Sequence, residues 1–323
     1  MRPDRLRRPA NPIPAVPEPG LSRRRLLTLA AAIAATAAVR PTRAAAAPAD
    51  ERNDLIGRNR LHIVRPGDTL VDIAVAYRVG FVELVAANPT VDRWLPRPGT
   101  EVVIPQEHIL PAAPRRGIVI NLAELRLYHF GKDGRVESMP IGIGSEGLET
   151  PDGETRITGK RKNPTWWPPA SIRAEKPELP KAVPPGPDNP LGDYALELGW
   201  PLYRIHGTNL PYGVGRRVSH GCIRMYPADI ETVFNSVRIG TPVTVVDQPV
   251  KVGWQDGRLF LEAHPTQRQA DEIEAGRSLA DWPPTDPIEA IRAGVGDAAG
   301  YVRIDWTEVR RIAEAREGVP GLI

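Results

Sequence analysis

Residues 206–224 read HGTNLPYGVGRRVSHGCIR, and the rest of the chain is read outward from them. The stretch holds the only cysteine, Cys222, and two of the six histidines, His206 and His220. Between the histidines stand Gly207, Pro211, Gly213 and Gly215. That turn chemistry predicts a loop that folds His206 back toward Cys222. A thiol beside an imidazole is the minimal apparatus for nucleophilic acyl transfer, because the base removes the proton and the thiolate attacks.

Two other readings compete on residue type alone. A lone cysteine is often a small buried apolar residue. Two histidines and a cysteine are also metal-ligand types, but no fourth ligand stands nearby and His-Gly-Cys is closer than most zinc spacings. No metal site and no organic cofactor are expected.

The run VSHGCIRM, preceded by IHGTN, resembles the catalytic signature of the L,D-transpeptidases, the YkuD family. The resemblance implies Cys222 as nucleophile, His206 as base, and the Gly207 carbonyl as the group that orients the imidazole. A glycine there is expected to provide an unusual backbone angle. Backbone N–H groups of His220, Gly221 and Cys222 would face the oxyanion, with Ser219 bonding locally and the His220 side chain fixing the loop. Arg224 is a candidate for a stem-peptide carboxylate, since its planar fork suits that geometry, and a structural ion pair is the competing role.

The chain has 323 residues, enough for two domains, and 36 prolines, many in runs between periodic segments. Residues 1–47 carry nine arginines against Asp4 and Glu18. The remainder of a chain of formal net charge +3 is therefore acidic, at about −4. The basic character belongs to the leader, and no nucleic-acid partner is implied. Ser22-Arg23-Arg24-Arg25 opens the apolar run Leu26 to Val39, which is too short to span a bilayer. Alanines 44–47 follow. Residues 1–47 read as a signal peptide resembling the twin-arginine type, with a retained anchor or an ordinary secretion signal as the competing readings. All three place the mature chain in the periplasm or cell envelope. There a lone accessible thiol reads as reactive rather than idle.

Residues 48–60 read as linker. Residues 61–105 predict strand, helix, helix, strand. Leu61 to Val64 leads into a Pro66-Gly67 turn with Asp68 as helix cap, and Glu101 to Ile104 closes the unit. This βααβ order, with VRPGDTL, a central ANP and a final PGTEVVIP, resembles a LysM module. The resemblance implies docking to peptidoglycan glycan strands, through the turns at Gly67-Asp68-Thr69 and Ala87-Asn88-Pro89. Residues 106–116 read as a second linker.

Residues 117–247 carry alternating strands and resemble the YkuD catalytic fold, so the expected class is a mainly β catalytic domain with a mixed sheet plus a small α+β LysM module. Thr150-Pro151-Asp152-Gly153 matches the family's T-P-x-G turn, with Thr155 where an aromatic residue is usual. Residues 162–192 hold Trp166, Trp167 and so many prolines that no regular element is expected there. With NPTWWPP and PPGPDNPLG the stretch resembles the ErfK/YbiS-like periplasmic subgroup and reads as a cleft wall, with both tryptophans against substrate; an ordered surface loop that packs its tryptophans inward is the competing reading. Residues 248–323 form an extension of unassigned role. Residues 248–264 are expected to be an extended appendage, and Trp306, Val309 and Ile312 lie on one face of a helix-prone tail.

The resemblance implies peptidoglycan stem peptides as partners in the cleft. It implies an amine of a second stem as acyl acceptor, or a lysine of an outer-membrane lipoprotein. Hydrolysis or carboxypeptidase action on the same substrate is the enzymatic alternative. A non-catalytic peptidoglycan-binding scaffold is the other, and it requires a damaged site.

Overall fold

The structure is a computed structural model that describes residues 53–296 and 302–323. The leader at 1–47 lies outside the described residues. Among the described residues no helix is long and apolar enough to cross a membrane.

The segment expected to be the α+β module forms around short apolar runs. Strands β1 (Leu55–Gly57) and β2 (Arg60–Ile63) precede helices α1 (Leu70–Tyr77) and α2 (Phe81–Ala86), and β3 (Glu101–Ile104) closes back on β2 with Leu61 opposite Val103. The cap of α1 is Thr69, whose Oγ1 accepts from Asp72 N–H at 3.1 Å. The expected cap, Asp68, instead accepts from Arg65 N–H at 2.8 Å and meets His62 Nε2 at 2.9 Å. Every residue of α2 is buried, as in a helix covered on all sides. Asn88 is also buried. Its amide donates to the Leu84 and Val103 carbonyls and accepts from Val103 N–H, each at 2.8 Å. The Asn88 side chain is thus fully engaged inside the module, which leaves that turn only its backbone and neighbours for a sugar.

Neither expected linker is a plain linker. Strand β4 (Glu107–Ile109) pairs antiparallel with β1, setting Ile56 opposite His108. Each strand is three residues long. Neither is long enough to show a period, and each is defined only by its partner.

The central sheet follows. Its segments are β5 (Gly117–Asn121), β6 (Arg126–Phe130), β7 (Val136–Pro140), β8 (Ile143–Gly144), β9 (Gly153–Lys162), the short helix α3 (Ala170–Glu175), β10 (Tyr194–Leu198), β11 (Arg204–His206), β12 (Arg217–Ser219), β13 (Ile223–Arg224), helix α4 (Pro227–Ser236) and β14 (Pro242–Val246). Among the described residues eight strands run in the order β13-β11-β10-β9-β14-β5-β6-β7. The β14–β5 and β11–β13 pairs are parallel, so the sheet is mixed. Ile118, Ile120, Ile157, Leu196, Ile205, Ile223 and Val243 are fully buried, and α4 adds Ile230 and Val233 to the same core. Each such side chain contributes about 2 kcal/mol by leaving water. The proline-rich stretch contains one helical turn after all, α3, between Pro169 and Pro177.

The extension is folded rather than appended. Strands β15 (Val250–Gln255) and β16 (Arg258–Ala263) form a hairpin, followed by α5 (Gln267–Glu274), α6 (Ile288–Val295), α7 (Trp306–Ala315) and β17 (Gly321–Leu322), which pairs with β16. Trp254, Leu261, Val309, Ile312 and Ile323 make a core of its own. Val309 and Ile312 face that core, whereas Trp306 is 51% exposed. Asp54 N–H donates to the Trp254 carbonyl at 2.8 Å, which ties the start of the described chain to this hairpin.

Candidate active site

The parallel pairing of β11 with β13 sets Ile205 beside Ile223 and His206 beside Arg224. One step back in that register lie Arg204 and Cys222. Because strand side chains alternate, Ile205 and Ile223 enter the core. Arg204, His206, Cys222 and Arg224 share the other face. The loop from Gly207 to Gly221 therefore returns the cysteine to the histidine's side of the sheet, as the turn residues predict. Cys222 is half-buried and its Sγ lies 3.5 Å from the Leu202 carbonyl.

His206 is 4% exposed, and its Nδ1 lies 2.6 Å from the Gly207 carbonyl. A carbonyl only accepts, so Nδ1 carries the proton and Nε2 keeps its lone pair. Burial pushes the imidazole down to about 4; the Gly207 carbonyl opposes this and the nearby Arg224 and Arg204 add to it. Burial also pushes the Cys222 thiol up, against the pull of Arg204 and Arg224. Burial thus favours the neutral form of both the thiol and the imidazole.

The glycine at 207 is selected by space rather than by backbone angle. Its φ lies outside the left-handed region, and an added Cβ would stand 3.2 Å from Ile230 Cγ2 and 3.3 Å from the Leu191 carbonyl. Gly221 does need its freedom: φ is +93°, and a Cβ would meet Tyr203 Cε1 at 2.7 Å. Thr150 Oγ1 donates to the Gly221 carbonyl at 2.8 Å and accepts from Gly144 N–H at 3.1 Å, so the T-P-x-G turn pins the cysteine loop. Ser219 Oγ donates to the Cys222 carbonyl at 2.6 Å, the local bond expected of it. The His220 ring faces outward, and its Nε2 meets Glu175 Oε2 of α3 at 3.0 Å.

Trp166 and Trp167 line a cavity of about 650 Å³ with Lys162, Leu191, Glu197 and Arg204. Trp166 is half-buried and exchanges backbone hydrogen bonds with Val183, while Trp167 is 68% exposed. Asn189 holds this wall together from inside, donating to the Pro164 carbonyl at 2.8 Å and accepting from Leu191 N–H at 2.9 Å. The cavity reaches the sheet face through Arg204, and its lining does not include Cys222. Arg204 was legible only as the residue two before His206 on one strand, a period-2 signal that the motif overshadows. Arg224 carries a buried Nε with no acceptor and, among the described residues, no carboxylate partner. Burial lowers its pKa.

One buried cluster outside this face has metal-ligand spacing: His108, Glu124 and Glu262 offer atoms within 4.8 Å of one another. Lys251 Nζ already serves as their cation, at 2.7 Å from Glu124 Oε2 and 3.1 Å from Glu262 Oε2. The set does not favour a metal.

The family described as YkuD, L,D-transpeptidase catalytic domain, matches residues 115–245, and the LysM domain family matches residues 62–105. The chain is 40% identical over 305 residues to the probable L,D-transpeptidase YcfS of Escherichia coli (strain K12), covering 91% of this chain and 92% of that protein. Its identity to the probable L,D-transpeptidase YbiS of the same strain is 38% over 275 residues, covering 82% and 87%. To the probable L,D-transpeptidase ErfK/SrfK of Salmonella typhimurium (strain LT2) it is 41% over 260 residues, covering 78% and 81%.

Proposed function

The chain belongs to the L,D-transpeptidase family, and from that premise we propose that Cys222 is the nucleophile of an acyl transfer between peptidoglycan stem peptides. The observation that carries this reading is the β11–β13 register, which places His206 and Cys222 on one sheet face with the Gly207 carbonyl on His206 Nδ1.

The steps start from the neutral thiol and imidazole that burial favours. As Sγ attacks the carbonyl carbon before the terminal D-alanine of a tetrapeptide stem, His206 Nε2 takes the thiol proton. The backbone N–H groups of His220, Gly221 and Cys222 receive the oxyanion, each such donor being worth about 3 kcal/mol in comparable sites. The C–N bond then breaks, His206 passes its proton to the leaving amine, and a thioester remains on Cys222. An acceptor amine attacks the thioester and gives its proton to His206. Collapse releases the new amide, and the thiolate recovers the proton. An amine of a second stem gives a stem-to-stem crosslink, and a lysine of an outer-membrane lipoprotein gives protein anchoring.

The neighbouring groups have complementary roles. Arg204 and Arg224 supply cations for stem carboxylates, and Trp166 and Trp167 wall the cavity that leads to Arg204. The LysM module holds the glycan, and the leader at 1–47 delivers the chain to the envelope.

The test is the intact mass of residues 48–323, wild type and Cys222→Ala, after a carbapenem and then a purified disaccharide-tetrapeptide. A carbapenem adduct on the wild type alone, with a new dimer mass from the muropeptide, supports the reading. An adduct with only D-alanine release assigns water as acceptor. No adduct on folded wild type overturns it in favour of a binding scaffold.

A further inference from the structure

The loop that carries Cys222 is clamped between the catalytic sheet and the LysM module. On the sheet side, Gly215 N–H donates to the Ile141 carbonyl at 3.1 Å, Ile143 N–H to Arg216 at 3.0 Å and Ser145 N–H to Ser219 at 3.0 Å. On the module side, Val82 N–H donates to the Gly215 carbonyl at 3.1 Å. Val82 lies in the first turn of α2, where N–H groups lack partners within the helix, and the capping residue Gly80 has no side chain to offer one. The catalytic loop supplies the missing acceptor.

The approach is backbone against backbone. Gly215 has φ +74°, and a Cβ there would fall 2.2 Å from Gly80 Cα and 2.3 Å from Phe81 N. Arg216 lays its guanidinium 3.8 Å over the Phe81 ring and pairs with Glu274 of α5 at 2.9 Å. A second contact fixes the module against the sheet: Glu83 of α2 is buried with Arg126 of β6 at 2.5 Å. A third is the Tyr226 hydroxyl, which donates to the Val79 carbonyl at 3.1 Å. A module on a flexible tether needs none of these.

We propose that Gly80 and Gly215 are positioning residues, through which the LysM module sets the place of the loop bearing Cys222. The module is then part of the catalytic apparatus as well as a glycan anchor. This inference rests on the reading of Cys222 as nucleophile. The Gly80–Gly215 contact fixes the level of β12, and β12 runs through Ser219, whose hydroxyl holds the Cys222 carbonyl. A displacement of a few tenths of an ångström at Gly215 is passed along this segment, because the sheet side leaves it no other direction in which to yield.

The test is Gly80→Ala in residues 48–323. Its φ of −72° suits alanine, and the new Cβ would press on Gly215 Cα at 3.2 Å. The expected result is a roughly tenfold slower acylation of Cys222 by a carbapenem. A shifted pH profile for Cys222 alkylation by iodoacetamide should accompany it, with unchanged pelleting on insoluble peptidoglycan. Melting is measured in parallel. If Gly80→Ala does not fold, Phe81→Leu withdraws the ring beneath Arg216 while keeping the core apolar, and the same shift is expected. A folded variant with the wild-type alkylation profile overturns the proposal. Wild type that alkylates but is not acylated would sink the acyl-transfer reading instead, and the alkylation comparison would still decide the role of the joint.

Discussion

The Nδ1 atom of His206 lies 2.6 Å from the carbonyl oxygen of Gly207, the residue that follows it. A carbonyl is neutral, so it fixes the tautomer without attracting imidazolium as a carboxylate would. Burial therefore prevails, and His206 sits at about 4. An imidazole held there keeps its lone pair throughout the neutral range, as the base proposed for this site requires. The rate of Cys222 acylation by a carbapenem, followed from about pH 4 to pH 8, should fall only below about pH 5 on its acid side. An acid limb centred near the ordinary histidine value of about 6.5 would show that burial does not control this imidazole.

The same burial gives a pH-dependent stability. His206 titrates lower in the folded chain than in the unfolded one, so between about pH 6.5 and 4 the unfolded state binds more protons. Stability is lost on acidification through that window, by on the order of 3 kcal/mol at most. Asp229 acts in the opposite direction. Its burial outweighs Arg78 and raises it to about 6, so its contribution grows as pH falls from 6 toward 4. Urea unfolding of Asp229→Asn should therefore lose stability with acid more steeply than wild type, and His206→Asn less steeply. Parallel slopes in all three would sink the assignment.

What the sequence reveals and what it hides divide along a physical line. Cys222, His206 and the LysM repeat of turns are local signals, because each depends on residues within a few positions of one another. Asp68 was read as a cap because it stands before an apolar run, but Thr69 caps and Asp68 turns to His62, a partner defined by the folded module. The β1–β4 pair is invisible for a stronger reason. Each strand is three residues long and finds its partner across the whole module. The extension was opaque because its core forms only where the β15–β16 hairpin meets the distant helix α7, and the apolar Val309–Ile312 face of that helix does not name its partner in the sequence. At Gly207 the sequence suggests an unusual backbone angle, whereas the structure shows crowding by Ile230, which leaves no trace in the sequence near it.

Arg224 separates activity from stability. Its guanidinium is half-buried, its Nε finds no acceptor, and burial lowers its pKa. An unpaired cation held partly out of water is a cost that the fold bears without return. Arg224→Met should melt at the wild-type temperature or above it. If the guanidinium meets a substrate carboxylate, kcat/KM should fall about 10- to 100-fold, the worth of one charged hydrogen bond. Arg224→Lys should not restore it, because a point charge lacks the two-pronged geometry. A Met variant that is less stable and fully active would assign Arg224 to structure alone.

Lys251 makes the opposite case, a buried charge the fold depends on. Its ammonium donates to the Ile109 carbonyl and to Glu124 Oε2, each at 2.7 Å, and lies 3.1 Å from both the Tyr128 hydroxyl and Glu262 Oε2. Glu262 also holds Ile109 N–H at 2.6 Å and His264 Nε2 at 2.7 Å. These residues come from the hairpin of the extension, the catalytic sheet and strand β4, so one ammonium joins three segments. Burial alone would raise the Glu262 carboxyl, yet Lys251 and His264 hold it well below the usual range. Lys251→Met removes the cation and leaves two carboxylates facing each other without water. The expected loss is about 3–5 kcal/mol in urea unfolding. Adding Glu262→Gln should recover part of it, because the remaining carboxylate then has no like charge beside it. The cluster shares no residue with the β11–β13 face, so folded Lys251→Met should keep the wild-type rate of Cys222 alkylation. A Lys251→Met chain as stable as wild type would mean that the two carboxylates take up protons and the three segments hold by apolar packing alone.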